Sequence, residues 1–190
     1  EIMIHDIFSP PVASRIFAYP NIAAYEIIAK NNDTYKSLAG QVTGLESIPD
    51  PKNDENINYE MASLIAQMEL SKRLIFSEEK MESFRENEAT FNASKEYGLE
   101  VANFIGEWMD KDNYKETRTM PKFSVDSDDP SRWQPTPPAY MNGIEPHWEK
   151  IRPFAIDSAQ QFKPIPPPEF SMEKDSDFYK EVMEVYEVRK

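Results

Sequence analysis

The sequence predicts an all-α protein: a helical bundle of about four main helices with long, proline-rich irregular connections. Apolar residues recur every three or four positions along several stretches, which is the spacing of one helix face. No alternation of apolar and polar residues is long enough to build a sheet. The chain contains 16 prolines and 5 glycines. This balance favours stiff, extended connections over the tight turns of hairpins.

The first predicted element is a kinked helix within residues 1–30. From residue 11 onward its apolar positions share one face; they are Val12, Ile16, Tyr19, Ala23 and Ile27. Ser9 precedes this stretch and can cap the helix. Pro20 lies inside the pattern, where it lacks an N–H and its ring clashes with the preceding turn. We therefore expect two short helical pieces or one bent helix.

Residues 57–109 are predicted to form two core helices. The first follows a polar stretch, residues 31–56, in which a loop with one helical turn near residues 35–38 is expected. Asn56 or Asn58 is suited to cap this helix.

The second core helix restarts after Ser77 and keeps an apolar face as far as Trp108. We expect it to be the longest helix of the chain, and to tolerate Gly98 and Gly106 in its interior.

Residues 110–174 are predicted to form an extended, proline-rich crossing that lies over the helices, with one helical turn near residues 145–150. Residues 175–190 are predicted to be the start of a further helix.

The acidic stretch 110–113 suggests a calcium-binding loop, but it lacks the central glycine and closing glutamate of such a loop. A solvated loop is the default. We expect residues 1–190 to form a single helical domain that is truncated at both ends, because the sequence begins at Glu1 and its last apolar pattern is still running at Lys190.

Charge and composition exclude several classes of partner. The net charge of −13 would repel nucleic acid and anionic lipid, both of which attract clustered lysine and arginine. No apolar run approaches the roughly 20 residues needed to span a bilayer. The chain contains no cysteine, so thiol chemistry and zinc–thiolate sites are excluded. Homo-oligomerisation is left open.

Two segments carry a family resemblance. The first reads DIFSPPVASR at residues 6–15 and continues as YPNIAAYE at residues 19–26; the second comprises WQPTPP at 133–138 and PHWEKIRPF at 146–154. Both resemble the N-terminal half of bacterial vanadium-dependent haloperoxidase-like proteins. This family is related to type 2 phosphatidic acid phosphatases and bacterial acid phosphatases, which are helical bundles that bind vanadate or phosphate. The resemblance covers nearly the whole of this chain, but it extends over only the non-catalytic half of the family's sequence.

The resemblance implies a parent protein that binds vanadate through a C-terminal catalytic bundle absent from this chain. It also implies export, to the periplasm or the cell surface. In the family the oxyanion is held by a lysine upstream of an Arg-Pro pair, a Ser-Gly-His element, and a later arginine and histidine, because the oxyanion needs positive donors and an apical imidazole.

This chain departs from that pattern. Its one Arg-Pro pair is Arg152-Pro153, Glu145 lies where the lysine is expected, and no Ser-Gly-His occurs. The only histidines are His5 and His147. We therefore predict no catalytic, cofactor-binding or metal-binding residue, and no activity for the chain alone.

One aromatic and proline-rich segment, residues 133–154, is a candidate structural or ligand-contact region. Its key residues are Trp133, Tyr140, His147, Trp148 and Arg152. The aromatic rings are suited to stack on a flat ligand, but such residues more often fasten an extended segment to a bundle. His147 has glutamates two positions away on each side, and alternate residues do not share a helix face, so a packed histidine is favoured over a metal ligand.

His5 and Asp6 suggest an acid–base pair. Adjacent residues on a helix diverge, however, so we expect these two side chains to point apart.

Two functions follow. The leading hypothesis is an N-terminal helical scaffold that packs against and shapes the catalytic bundle of a haloperoxidase or phosphatase relative; the sequence does not distinguish these two chemistries. The alternative is a self-contained helical binding or interaction module that uses residues 133–154 as its contact surface. A complete module should bury its apolar stripes, whereas a scaffold should leave some exposed.

Overall fold

The structure is a computed structural model, and it describes residues 5–52, 56–82 and 92–189. Within those residues every regular element is a helix and no strand occurs, which confirms the all-α prediction. The elements are α1 (Pro10–Lys30), α2 (Tyr59–Lys72), α3 (Glu79–Glu82), α4 (Asn92–Met109), α5 (Tyr114–Thr117), a 3-10 turn (Trp148–Lys150) and α6 (Asp177–Arg189). Among these described helices, none is long and apolar enough to cross a membrane.

Helices α1, α2 and α4 pack against one another and form the main core. Its buried residues include Tyr19, Ala23 and Ile27 from α1, Ala62, Ala66 and Leu70 from α2, and Tyr97, Val101, Ala102 and Ile105 from α4. A Cβ at Gly98 would lie 2.6 Å from the carbonyl oxygen of Ala62. The absence of a side chain at this glycine therefore allows α2 and α4 to approach closely.

Helix α1 runs from Pro10 to Lys30 as a single piece, so the two separate helical pieces considered at Pro20 do not occur, and the bent helix stays a prediction. Proline removes one backbone hydrogen bond, but burial of the surrounding face against α2 and α4 offsets that loss, since packing contributes most of the stability of a protein helix. Ser9 lies at the N-cap position as predicted, yet its side chain makes no capping hydrogen bond. Its hydroxyl donates instead to Oε1 of Glu145, at 3.3 Å.

The N-terminus of α2 is capped by Asn58, one of the two residues predicted for this role. Its side chain accepts a hydrogen bond from the backbone N–H of Met61, at 2.9 Å. The backbone N–H of Asn58 donates to Oγ of Ser94 in α4, at 2.8 Å. The same residue thus begins one core helix and fastens it to the next.

The helical turn predicted near residues 35–38 is wrong, because this stretch forms irregular turns. The carboxylate of Glu26, buried on α1, accepts hydrogen bonds from the hydroxyl of Ser37 at 2.5 Å and the backbone N–H of Leu38 at 2.6 Å. The hydroxyl of Ser37 and the N–H of Leu38 are therefore directed to α1.

The second core helix was expected to run unbroken from residue 77 to about residue 108. The structure describes α3 and α4 within that span, and the continuity between them falls on residues 83–91, outside the described residues. Among the described helices α1 is the longest, with 21 residues against 18 in α4.

The chain divides into two compact units. The first consists of Glu1–Pro121 and Ile144–Ser158 and holds α1 to α5 and the 3-10 turn; the second consists of Lys122–Gly143 and Ala159–Lys190 and holds α6. The predicted crossing, residues 110–174, therefore contributes to both units. It contains α5 and the predicted turn at residues 148–150. The single-domain organisation stays a prediction.

In the second unit, aromatic pairs provide local contacts. Phe123 meets Trp133 edge-on at 5.6 Å, and Phe170 meets Phe178 at 5.1 Å between ring centroids. Helix α6 begins two residues after the predicted start at residue 175 and has no buried residue.

Candidate functional site

A buried carboxylate just beyond the end of α4 organises the first unit. Asp112 Oδ2 accepts a hydrogen bond from Nε of Arg15 at 2.7 Å and from the hydroxyl of Tyr19 at 2.8 Å. Its Oδ1 accepts the backbone N–H of Tyr114 at 2.9 Å. A buried charge is tolerated only when it is paired and hydrogen-bonded, and Asp112 meets both conditions. We call Arg15, Tyr19, Asp112 and Arg152 the Asp112 cluster.

Arg152, one of the predicted site residues, belongs to this cluster. Its backbone N–H donates to the carbonyl oxygen of Asp112 at 2.9 Å. Its guanidinium donates to the carbonyl oxygen of Trp108 at 3.0 Å and to the hydroxyl of Tyr19 at 3.3 Å, and lies 4.4 Å from the centroid of the Trp108 ring. Its Nε is buried and has no hydrogen-bond partner in the described part of the chain. Arg152 therefore binds the framework of its own fold.

The residues that follow Arg152 also pack on the core of the first unit. Phe154 lies edge-on to Tyr19 with ring centroids 5.4 Å apart, and 5.7 Å from the ring of Trp108. The backbone N–H of Thr43 donates to the carbonyl oxygen of Phe154 at 2.8 Å. The part of the crossing near residues 152–154 thus packs on the core, as the sequence predicted for the whole segment.

The electrostatics of the cluster favour a neutral phenol. Burial raises the pKa of Tyr19 well above its usual value, and the negative charge of Asp112 raises it further. Tyr19 therefore stays protonated and remains a donor to Asp112. The guanidinium of Arg15 also lies 4.3 Å from the centroid of the Tyr114 ring, a cation–π distance.

Glu145, upstream of the Arg152-Pro153 pair, has a structural role. It forms an ion pair with Arg118 and accepts the hydroxyl of Ser9. The hydrogen bonds from the Arg118 guanidinium lower the pKa of the Glu145 carboxyl. The residue has a positive φ of 49°. Glu145 thus links the segment 144–151 to the start of α1 and the end of α5.

His147 and Trp148 also pack within the first unit. Nε2 of His147 lies 2.7 Å from the carbonyl oxygen of Pro121, which makes it the donor in that hydrogen bond. Trp148 contacts the small core cluster formed by Val12, Ile16 and Ile75. These contacts support the packed interpretation of His147, and within the described residues no group of three or more histidine and carboxylate side chains is arranged to hold a metal ion.

Trp133 and Tyr140 lie in the second unit. Trp133 is half exposed beside Phe123. Tyr140 is exposed, has a positive φ of 46°, and its backbone N–H donates to the carbonyl oxygen of Thr136 at 3.0 Å. The five residues predicted as one contact region therefore fall into two units, and their role in ligand contact stays a prediction.

His5 and Asp6 do not diverge as expected, since Nδ1 and Oδ1 lie 3.0 Å apart. Asp6 accepts the backbone N–H groups of Phe76 and Ser77 at 2.8 and 3.2 Å and also the Ser77 hydroxyl. The Ser77 hydrogen bond lowers the pKa of Asp6 far below its usual value. In a catalytic triad the histidine bridges serine and aspartate through its two nitrogens. Here Nδ1 alone faces both side chains, so the cluster fastens the chain near residue 77 and does not activate the serine.

Sequence reasoning missed the centre of the site. Asp112 lies in the acidic stretch interpreted as a solvated loop, and that interpretation is wrong for this residue, which is only 1% exposed. One signal was present: Arg15 comes one position before Ile16 and four before Tyr19 on the face assigned to the core. A charged residue beside a core face predicts a buried partner of opposite charge.

The arginines in and beside the Asp112 cluster do not fit a vanadate site. The guanidinium of Arg15 is engaged by the Asp112 carboxylate, that of Arg118 by Glu145, and that of Arg152 by a backbone carbonyl and the Tyr19 hydroxyl. An oxyanion placed among Arg15, Tyr19 and Arg152 would meet the negative charge of Asp112. This arrangement holds helices and loop segments together and offers no cage for an anion.

Comparison with solved structures identifies the class of protein. One solved chain matches 99% of this chain at 68% identity with a TM-score of 0.92. This similarity over nearly the whole chain confirms the resemblance to the vanadium-dependent haloperoxidases inferred from residues 6–26 and 133–154. The matching structure is described as that of the first bacterial vanadium-dependent iodoperoxidase, and this chain spans 48% of its length. No family model and no curated protein matches the chain.

Proposed function

We propose that this chain is the N-terminal helical scaffold of a vanadium-dependent iodoperoxidase, and that it packs against and shapes a catalytic bundle formed by the rest of the polypeptide. The observation that carries the proposal is the match of nearly the whole chain to about half of a bacterial vanadium-dependent iodoperoxidase. No observation within the described residues favours the alternative of a self-contained binding module.

The Asp112 cluster supports a scaffolding role. It joins α1, the end of α4 and the segment around Arg152 through charge-assisted hydrogen bonds. Such bonds are short and directional, so they fix the relative positions of the elements that carry them. Catalytic groups need support of this kind, since a displacement of about 1 Å at a reacting centre is costly.

We propose vanadate as the cofactor of the complete protein. The residues that hold it would lie outside residues 1–190. Bound vanadate supplies the peroxide activation of the family. We also propose export to the periplasm or the cell surface, on the basis of the family resemblance. Detection of the complete protein in the cytoplasmic fraction of its native cells, with none in the periplasmic or surface fractions, would contradict export.

The central test is an activity measurement on the complete protein. We expect it to oxidise iodide with hydrogen peroxide after reconstitution with vanadate, and to lose this activity after vanadate is removed. The 190-residue chain, given the same vanadate and peroxide, should oxidise no iodide above the rate of free vanadate. Iodide oxidation by the 190-residue chain would overturn the scaffold assignment. A complete protein that hydrolyses phosphoesters and leaves iodide unchanged would overturn the peroxidase assignment.

A further inference from the structure

A groove whose described lining carries no charge lies between α1 and α2 on the first unit. Its volume is about 240 Å³, and a cavity of roughly 150 Å³ accommodates a benzene ring. Among the described residues, nine line this groove and none of these nine is charged, although 29% of the residues in the chain are charged. Depletion of charge distinguishes the centre of a protein interface from ordinary surface.

The residues that form the walls of the groove are spaced along their helices by about one turn. Ile16 and Pro20 lie four residues apart on α1, and Met68 lies on α2, with Ile75 and Met81 completing the apolar lining. Phe17 at the rim is 59% exposed. Parallel rows of side chains four residues apart form the ridges between which a third helix packs. Methionine adapts its shape to such a partner.

The polar side chains of the groove make hydrogen bonds within the fold. Nε2 of Gln67 donates to Oδ1 of Asn21 at 2.9 Å, Nδ2 of Asn21 donates to the carbonyl oxygen of Phe17 at 2.7 Å, and the hydroxyl of Ser71 donates to the carbonyl oxygen of Gln67 at 2.7 Å. A polar small molecule would therefore find few donors or acceptors to bind. An apolar side chain that enters the groove would meet polar side chains that already make hydrogen bonds within the fold, which limits the cost of covering them.

We propose that this groove docks an amphipathic helix from the part of the complete protein that lies outside residues 1–190, an inference that rests on the proposed function. The matched iodoperoxidase chain is about twice as long as this one, while 99% of this chain is already matched. The proposed catalytic bundle would be of similar size and would pack on the surface of this fold. Helix-in-groove docking buries the apolar faces of both sides.

The test uses photo-crosslinking in the complete protein. Benzoylphenylalanine replaces Phe17, or replaces Tyr35 as a matched control, since both are aromatic residues of the first unit and are 59% and 49% exposed. We expect position 17 to crosslink to a peptide outside residues 1–190 of the same molecule, with a yield at least about tenfold above that of position 35. The docking proposal would be overturned if position 17 crosslinked to residues 1–190 or, in isotopically mixed samples, to a second copy of the protein. The absence of any crosslink from position 17 would also overturn it. Equal yields at both positions would overturn it as well.

A labelling experiment provides an independent measurement. Cysteine replaces Phe17 or Tyr35 in the complete protein, and the rate of maleimide modification at each site is followed by mass spectrometry. We expect Phe17→Cys to react roughly tenfold more slowly than Tyr35→Cys in the native protein and at the same rate in denaturant. Equal native rates would contradict docking at the groove.

Iodide oxidation, measured on the same samples, separates this inference from the proposed function. If the protein oxidises iodide while the cysteine at position 17 reacts as fast as the one at position 35, docking at the groove is refuted and the scaffold role is retained. A specific crosslink in a protein without vanadate-dependent activity would support docking and refute the peroxidase assignment.

Discussion

Nε of Arg15 and Oδ2 of Asp112 lie 2.7 Å apart, although 97 residues separate them in the sequence. The side chains are 7% and 1% exposed. The pair connects the first helix to the turn that follows the last core helix. Its importance lies in the cost of breaking it, because removal of one partner leaves the other charge buried and uncompensated.

Asp112→Ala should destabilise the protein by about 3–5 kcal/mol, the usual cost of removing one member of a buried ion pair. The free energy of unfolding from urea titrations is the measurement. Asp110→Ala serves as the control, since Asp110 is half exposed and pairs with the exposed Lys115. We expect that control to change the stability by less than roughly 1 kcal/mol. Equal effects of the two substitutions would show that the Asp112 cluster does not stabilise the fold.

Tyr19→Phe should give a loss of stability that shrinks at alkaline pH. At pH 7 the variant lacks a hydrogen bond to a buried carboxylate, a loss of about 1.5–3 kcal/mol. Burial raises the pKa of Tyr19 in the folded state, so the wild-type protein holds a proton that the unfolded chain releases above its usual pKa of roughly 10. The contribution of Tyr19 is therefore complete below pH 10 and declines as the pH rises further.

Unfolding free energies of both proteins at pH 7 and pH 11 check this prediction. Tyr25→Phe is the control, because the Tyr25 hydroxyl donates to the carbonyl oxygen of Lys36 on the exposed surface. A difference between wild type and Tyr19→Phe that is the same at both pH values would contradict the assignment of the shift to Tyr19.

Gly98→Ala and Gly106→Ala should differ, although both glycines lie inside α4. A Cβ at Gly98 would meet the carbonyl oxygen of Ala62 at 2.6 Å and the side chain of Ile65 at 3.1 Å, which forces two packed helices apart. We expect a loss of about 1–3 kcal/mol, as for overpacked cores. At Gly106 the nearest atom belongs to the end of the flexible Arg73 side chain. There the helix propensity of alanine should dominate and raise the stability by up to about 1 kcal/mol.

Thermal unfolding of the two alanine variants decides this comparison. The wild-type melting temperature should lie between those of the variants. A Gly98→Ala protein as stable as the wild type would show that α2 and α4 do not approach each other at this glycine as described.

Glu145→Lys reverses the charge of the residue that pairs with Arg118. The new cation would lie beside Arg118, the present partner of Glu145, and repulsion between like charges would replace attraction. We expect Glu145→Lys to be less stable than wild type by about 1–2 kcal/mol, and Glu145→Gln by about 1 kcal/mol, since Arg118 is partly exposed to solvent. Vanadate should bind Glu145→Lys no more tightly than the wild-type chain.

Stability is measured by urea unfolding, and vanadate affinity by isothermal titration calorimetry. Tight vanadate binding by Glu145→Lys would mean that the chain carries a latent oxyanion site, contrary to the arrangement around Arg118 and Arg152.

Local patterns predicted most of the helical architecture. The apolar stripe of α1, the cap at Asn58 and the turn near residue 148 depend on residues within one or two turns of each other, so their spacing in the sequence carries the information. The effect of Pro20 was predicted less well. The hydrogen bond that a proline removes can be read from the sequence, but the packing of α1 against α2 and α4 that offsets this loss cannot. The turn expected near Tyr35 was wrong for a related reason, since Glu26 on α1 accepts the backbone N–H of Leu38.

The sequence by itself determined the all-α class, the family, and the faces that the helices bury, because each is encoded in short-range spacing or in contiguous motifs. Only the tertiary structure decided that Asp112 is a buried anchor, that Glu145 pairs with Arg118, and that α1 and α2 leave a groove whose described lining carries no charge. These features join side chains that are far apart in the chain. They arise only when packing brings the helices together, and burial then gives a charged pair or an apolar surface its energetic consequence.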